Sequence, residues 1–272
     1  MKDPLRAVLH ERHRDGVRLR CYDSGGRGPC VMLLHGLCGH ALEWRETAIL
    51  LTDLGYRVLL PDQRGHGTSA RRPTDLSRAA YVADVEMWME SLQITVSSFV
   101  GQSLGGHTAF LVASARPTLV KSLVVVEATP QHDASALRRL ESWLAQWPRP
   151  FASKEAAMEF FGGDTPYARA WIDGLEERPD GLWPRFDNDI MLRSLRVCED
   201  RGYWGEWTRV TCPTLLVRSD RGIDLEVASQ MCELAPRTRV VSIPNAGHDL
   251  HLESHKEWSN CLGTFLAETH RL

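Results

Sequence analysis

The sequence lacks several features that would assign a chain to a special class. No segment approaches the run of about 18 apolar residues that a membrane-spanning helix needs. The charged opening segment, MKDPLRAVLHERHRDG, has no apolar stretch of the kind found in secretory signals. No C-x-x-C pair occurs among the seven cysteines, which favours reduced thiols over a disulfide framework or a zinc site. We therefore predict a cytoplasmic protein that has no membrane partner and no metal.

The sequence also has no excess of positive charge. Its formal net charge is −3 at pH 7, and its arginines are spread along the chain rather than clustered. This distribution favours no nucleic-acid partner. With 272 residues, 43% of them hydrophobic and 25% charged, the chain has the composition of a globular protein with a large core. Composition leaves the oligomeric state open.

Short apolar segments alternate with helical patterns along most of the chain. Two strand-like segments, at about 7–12 and 17–22, are joined by Asp-Gly and predict a hairpin. Helical spacing recurs downstream, for example over about 81–92. This alternation predicts an α/β fold with a mostly parallel sheet and helices on both faces. Six further strands are predicted at residues 30–34, 57–60, 98–100, 123–126, 214–217 and 240–243.

One region interrupts this alternation. Residues 130–209 contain helical stretches separated by proline and glycine, with no convincing strand. We predict a helical cap without a sheet of its own, inserted between strands six and seven of a core formed by 1–129 and 210–272. Six of the nine tryptophans fall in this cap: Trp143, Trp147, Trp171, Trp183, Trp204 and Trp207. Most are expected to pack onto the core, and a few to face a cavity for a hydrophobic small molecule.

A serine lies in a glycine-rich turn near the middle of the chain. The segment Gly101-Gln102-Ser103-Leu104-Gly105 follows an apolar strand and precedes a helical pattern. G-x-S-x-G in that context is typical of a strained turn that exposes a nucleophilic serine at the end of a strand. The alternative interpretation is an ordinary strand-to-helix turn with a serine cap.

Three further segments occur in order around this turn. Residues 35–37 (H-G-L) follow the third predicted strand, residues 62–69 (D-Q-R-G-H-G-T-S) follow the fourth, and residues 246–253 (A-G-H-D-L-H-L-E) follow the last. Together with the serine turn they resemble the α/β-hydrolase superfamily, and the resemblance covers nearly the whole chain. It implies the α/β-hydrolase fold, with about eight strands, and hydrolase activity without a cofactor.

The resemblance also implies roles for particular residues. Ser103 corresponds to the nucleophile and His248 to the base that takes its proton. The main-chain amides of Leu37 and Leu104 correspond to the oxyanion hole. The segment at 62–69 corresponds to a structural loop behind the site.

The carboxylate that orients the histidine has two candidates. Relatives usually carry it in the loop after the seventh strand, where Asp220 lies at a suitable distance from His248, although Gly222 occupies the usual slot. Some branches of the superfamily carry it after the sixth strand, where Glu127 follows an all-apolar segment. A buried carboxylate there would need a partner. The sequence leaves Asp220 and Glu127 open.

These motifs predict a serine hydrolase that cleaves an ester, lactone or thioester of a hydrophobic small molecule through an acyl-enzyme. Fold alone does not determine the reaction. C–C bond hydrolysis or other non-ester chemistry on the same scaffold remains an alternative. Another is a ligand-binding or signalling protein with a weakened triad, which the unusual loop near Asp220 motivates.

Overall fold

The computed structural model describes residues 5–131, 135–198 and 201–270. Eight of its strands form one sheet, in the spatial order β1-β2-β4-β3-β5-β6-β9-β10. Only the pairs β1–β2 and β2–β4 are antiparallel in this sheet, and the other neighbours are parallel. The strands are β1 (Val8–Arg14), β2 (Val17–Asp23), β3 (Cys30–Leu34), β4 (Arg57–Asp62), β5 (Ser97–Gln102), β6 (Val120–Val126), β7 (Leu175–Arg178), β8 (Gly181–Pro184), β9 (Thr214–Ser219) and β10 (Thr238–Ile243).

Helices cover both faces of this sheet, as predicted. Those of the described residues are α1 (Arg45–Asp53), α2 (Arg78–Ser91), α3 (Leu104–Ala115), α4 (Ala136–Leu144), α5 (Lys154–Phe160), α6 (Pro166–Asp173), α7 (Asn188–Arg196), α8 (Trp204–Trp207), α9 (Leu225–Leu234), α10 (Leu250–Glu253) and α11 (His255–His270). None of these described helices combines the length and apolar character that crossing a membrane requires.

The apolar strands are buried because both of their faces are covered. Every residue of β3 and β5 is buried, which is typical of parallel strands between two helical layers. Trp88 and Phe110 belong to the apolar layer on one side, and Trp44 and Trp258 to the layer on the other. This packing brings the carboxyl ends of the central parallel strands to one edge, where α/β sheets place their ligands.

The predicted hairpin at the start of the sheet is present. Asp15 and Gly16 join β1 and β2 with φ angles of 51° and 76°. Two consecutive positive φ angles match the right-handed twist of the strands, and glycine adopts them without strain.

The chain between β6 and β9 forms the insertion, and one prediction about it is wrong. Besides helices α4 to α8, it contains a small antiparallel sheet of β7 and β8. Each strand has only four residues, which is too short for an alternating pattern to stand out. Gly181, the first residue of β8, has a φ of 136°, and a bridge between Phe151 and Leu182 joins the pair to the rest of the insertion.

The tryptophans of the insertion have different surroundings. Trp147 lies in an apolar cluster of the insertion itself, among edge-to-face neighbours that include Phe161 and Trp171. Trp207 instead packs on Phe110 in the main core. Trp143 and Trp171 line the cavity described below. Packing and cavity lining, the two roles expected of these side chains, are thus divided among them.

Polar contacts fasten the insertion to the sheet domain. Arg71, in the loop after β4, forms ion pairs with Glu176 and Asp187 of the insertion. His40 Nε2 lies 2.8 Å from the carbonyl oxygen of Ala170 in α6. These contacts position the insertion over the carboxyl edge of the sheet.

Candidate active site

Ser103 lies at the sharp turn between β5 and α3. Its φ of 49° and ψ of −113° are rare for a residue with a side chain, and such strain is concentrated at functional sites. The turn is held from both sides. The Ser103 amide donates to the Val126 carbonyl at 2.8 Å, and its own carbonyl accepts from the His107 amide at 2.9 Å.

The glycines around Ser103 are required by close backbone approach. A Cβ on Gly101 would lie 2.2 Å from the carbonyl oxygen of Gly105. A Cβ on Gly105 would lie 2.0 Å from the carbonyl oxygen of Leu34. Real Cβ atoms do not come this close to backbone, so both G positions of the G-x-S-x-G segment have a steric cause.

A cavity of about 730 Å³ lies between this edge of the sheet and the insertion. Its walls include Ser103, Glu127 and His248 from the sheet domain. Helices α4, α6 and α7 of the insertion also contribute lining residues. The apolar and aromatic side chains of the lining are Leu37, Ala128, Ala136, Leu140, Trp143, Tyr167, Trp171, Leu195 and Ile223.

Glu127 is the carboxylate that the structure brings to the histidine. It directly follows β6, is only 7% exposed and has a positive φ of 48°. Its Oε1 accepts a hydrogen bond from the Ser219 amide, and its Oε2 lies 3.8 Å from His248 Nδ1. A Cβ on Gly222 would lie 2.0 Å from Oε2. The loop between β9 and α9, which contains Gly222, therefore packs directly against the Glu127 carboxylate.

Asp220 lies elsewhere. It is exposed and is absent from the lining of the cavity. Within the described part of the chain, no hydrogen bond or ion pair joins Asp220 to His248. The Glu127 carboxylate fills the space beside Ser219 and Gly222, and the loop carries Asp220 past the site.

His248 is surrounded by negative charge. Its side chain is 58% exposed and lines the cavity. Loss of hydration lowers the pKa of His248, but the carboxylates of Glu127, Asp249 and Glu253 together raise it by more, so the pKa lies above its ordinary value. Because Nδ1 faces Glu127, Nε2 is the ring nitrogen left for a proton from the substrate side. In the described residues no hydrogen bond yet joins the ring to Ser103, and such contacts often form only with substrate bound.

Two main-chain amides beside Ser103 are unused. Leu104 is the first residue of α3, and Leu37 follows the His35-Gly36 turn and lines the cavity. Among the described residues, neither the Leu37 amide nor the Leu104 amide donates to another protein atom. Two free donors near a serine hydroxyl can stabilise a negative oxygen.

Gln102 is a site residue that the motif analysis did not single out. It is buried, and its Nε2 donates to the His248 carbonyl at 3.0 Å and to Asp249 Oδ1 at 3.1 Å. A Cβ on Gly36 would lie 2.0 Å from Gln102 Oε1, so Gly36 cannot carry a side chain there without displacing Gln102. Gln102 thus joins the serine turn, the His35-Gly36 turn and the histidine loop. Its place as the first x of G-x-S-x-G was the only signal in the sequence.

We expect Gln102→Leu to lower kcat by about tenfold with little change in KM. Leucine has similar volume but cannot donate to the His248 carbonyl, so the histidine loop loses a hydrogen bond that fixes the ring. A loss of one to two kcal/mol of positioning energy corresponds to about this factor. Steady-state kinetics check it. Partial recovery of kcat in Gln102→Asn, which keeps the amide donor, is the companion result; equal kcat in wild type and Gln102→Leu would contradict the role.

The described residues contain no group of three or more His, Cys, Asp or Glu side chains arranged to hold a metal ion. The seven cysteines are unpaired in the structure. The lining of the cavity includes Ser103, Glu127 and His248, whose side chains can take part in acid–base and hydrogen-bond chemistry.

Known proteins resemble the chain in sequence. The sequence matches the family described as alpha/beta hydrolase fold over residues 29–255. It is 27% identical to 2-(acetamidomethylene)succinate hydrolase of Mesorhizobium japonicum, over 82% of this chain and 82% of that protein. It is 25% identical to protein phosphatase methylesterase 1 of Homo sapiens, over 95% of this chain and 80% of that protein.

Solved structures share the fold. The crystal structure of E-2-(acetamidomethylene)succinate hydrolase superposes with a TM-score of 0.86 at 24% identity, covering 96% of this chain and 99% of that chain. The enol-lactonase from Burkholderia xenovorans superposes with a TM-score of 0.76 at 18% identity, covering 95% and 100%. The two sequence relatives are named as a hydrolase and a methylesterase, and together with the family match these names support hydrolase activity here. Because the family match spans most of the sequence, the chain belongs to the α/β-hydrolase family.

Proposed function

We propose that this protein is a cofactor-independent serine hydrolase that cleaves an ester, lactone or thioester through an acyl-enzyme. The observation that carries the proposal is that Ser103, His248, Glu127 and Leu37 line one cavity, with the unused amide of Leu104 directly after Ser103 in the chain. Each of these parts has a counterpart in the chemistry of acyl transfer.

In the first step, Ser103 Oγ forms a bond to the substrate carbonyl carbon and its proton passes to His248 Nε2. The amides of Leu37 and Leu104 donate to the developing oxyanion, and each such donor contributes about 3 kcal/mol in comparable sites. Glu127 holds the imidazole ring and stabilises its positive charge. The bond to the leaving group then breaks, and the leaving group takes the proton from His248.

In the second step, water replaces the leaving group. His248 takes a proton from the water as its oxygen bonds to the acyl carbon, and the same oxyanion donors act again. The bond to Ser103 Oγ breaks, and the proton on His248 returns to Ser103. The products are an acid and an alcohol or thiol, and the enzyme is unchanged.

The substrate is proposed to be a small molecule with an apolar body. Trp143, Trp171, Leu140 and Ile223 line a cavity whose volume suits such a ligand. The relatives' names refer to a succinate derivative, a methyl ester and an enol-lactone, which agrees with hydrolysis of a carbonyl compound. The alternative of a non-catalytic binding protein rested on the unusual loop near Asp220. We favour catalysis over binding alone because Glu127 Oε2 lies 3.8 Å from His248 Nδ1.

A fluorophosphonate probe tests this proposal directly. We expect the probe to form one covalent adduct, found by peptide mass spectrometry on Ser103, in protein that also turns over a series of p-nitrophenyl esters. The chain length with the highest kcat/KM then reports the size of the apolar body.

Ser219 offers a matched control for the probe. It lines the same cavity, and its hydroxyl is buried without a hydrogen-bond partner among the described residues. Ser219→Ala should keep the adduct, whereas Ser103→Ala should lose both adduct and turnover. A folded wild-type protein that neither reacts with the probe nor hydrolyses any ester of the series would overturn the proposal.

A further inference from the structure

Two arginines line the cavity from different parts of the chain. Arg139 comes from α4 of the insertion, and Arg221 comes from the loop between β9 and α9. The acyl-transfer chemistry proposed above uses neither of them. A guanidinium in a substrate cavity is suited to bind a carboxylate through two parallel hydrogen bonds.

The loop that carries Arg221 is fixed at both ends. Arg218 Nε donates to the carbonyl of Ile223, and the backbone of Gly222 packs against the Glu127 carboxylate. The Arg221 side chain itself is exposed, and within the described part of the chain it has no hydrogen bond or ion pair. The Arg221 guanidinium therefore has unused donors, and its backbone is fixed beside the reacting residues. Such a group is available to a ligand.

Arg139 belongs to helix α4 of the insertion. Leu140 and Trp143, on the same helix, also line the cavity, so this side of α4 faces the ligand space. Arg139 Nη1 donates to the hydroxyl of Ser135, one turn earlier. The neighbouring Arg138 is exposed and is not part of the lining.

The carboxylates of the cavity are already engaged by the protein. Glu253 accepts from the amides of Gly247 and Asp249, at 2.6 and 3.2 Å. Glu43 accepts from the amides of Gly36 and His40. Glu127 accepts from the Ser219 amide, and Asp249 accepts from Gln102 Nε2. These acidic groups stabilise the turns and the histidine loop. The Arg221 side chain, by contrast, has no hydrogen-bond or ion-pair partner among the described residues.

We propose that the substrate carries a carboxylate in addition to its scissile carbonyl, and that Arg221 and Arg139 bind this carboxylate. The inference rests on the proposed function for the reaction, but the binding step can be measured without turnover. It assigns the substrate class as an anionic acyl compound: the carboxylate lies between the β9–α9 loop and α4, and the carbonyl lies at Ser103.

Three p-nitrophenyl esters of matched length provide the test. The acyl groups are adipate with a free carboxylate, adipate capped as its methyl ester, and the cationic aminohexanoate. At constant ionic strength, kcat/KM should be highest for the free carboxylate. Arg221→Gln and Arg139→Gln should each reduce the ratio of anionic to neutral kcat/KM by about tenfold, the loss expected for a charged hydrogen bond. Arg138→Gln, the matched control on α4, should leave that ratio unchanged.

Binding of adipate to the Ser103→Ala protein separates this inference from the proposed function. Quenching of Trp143 and Trp171 fluorescence reports its Kd, which should rise about tenfold when Arg221→Gln is added. If no ester is hydrolysed and Ser103 takes no probe, the proposed function fails. The adipate Kd still tests the carboxylate site, because its measurement does not require turnover. Two results would overturn the inference. One is a higher kcat/KM for the cationic ester than for the anionic one. The other is that neither arginine substitution changes the anionic-to-neutral ratio of kcat/KM or the adipate Kd.

Discussion

Glu127→Gln should lower kcat by about three to four orders of magnitude, whereas Asp220→Asn should leave kcat near the wild-type value. Loss of the carboxylate that orients a catalytic histidine has an effect of this size in a serine triad, because the ring takes the wrong tautomer and its positive charge is no longer stabilised. Glu127 Oε2 lies 3.8 Å from His248 Nδ1, and Asp220 is exposed outside the cavity. Burst and steady-state kinetics on a p-nitrophenyl ester measure both variants.

The amide in Glu127→Gln can still accept the hydrogen bond of the Ser219 amide through Oε1, so we expect the fold to survive. Circular dichroism and the unfolding midpoint check this for both variants. If instead Asp220→Asn loses orders of magnitude in kcat and Glu127→Gln does not, the assignment of the acid is reversed.

The pH profile provides an independent readout of the same residue. His248 must be neutral to accept a proton, so kcat/KM is full above its pKa and falls as the pH decreases through it. Since nearby carboxylates, Glu127 foremost, raise this pKa against the effect of lost hydration, the acidic limb should lie above the ordinary histidine value of about 6.5. In Glu127→Gln the residual activity should show this limb at lower pH. The limb should not move in Asp220→Asn.

Gly101→Ala should strongly destabilise the sheet domain. The new Cβ would lie 2.2 Å from the Gly105 carbonyl oxygen and 2.5 Å from the Gly106 nitrogen, and backbone atoms cannot move aside as a flexible side chain can. Overpacking of this kind costs about 3 kcal/mol or more of unfolding free energy, because strand β5 and helix α3 must separate. Urea unfolding followed by circular dichroism measures the loss, and ester hydrolysis should fall with it because Ser103 moves.

Gly263 provides the matched control for that substitution. It lies inside α11, and a Cβ there would make an ordinary contact at 4.0 Å with Leu54. Gly263→Ala should therefore stabilise the protein by up to about 1 kcal/mol, since alanine has the higher helix propensity. Equal unfolding free energies for Gly101→Ala and wild type would show that the turn around Ser103 is looser than its geometry indicates.

Local patterns were sufficient for most of the sheet. The apolar run Cys30–Leu34 became β3 with the same bounds, and the Asp15-Gly16 turn joined β1 to β2. These elements depend on neighbouring residues, through burial of both strand faces and through the φ angles that a tight turn requires. The β7–β8 pair was missed because its four-residue strands are held mainly by contacts with the rest of the insertion, including the bridge from Phe151.

The sequence by itself determined the serine turn, the histidine loop and the chain order of the eight strands of the main sheet, because each depends on short-range sterics and hydrophobic periodicity. Only the tertiary structure decided which carboxylate lies beside His248, and it was Glu127 rather than Asp220. It also brought Gln102 to the histidine loop and Arg139 to the cavity that contains Arg221. These contacts join segments far apart in the chain, and their distances depend on how loops of particular length close over the edge of the sheet, which no local pattern encodes.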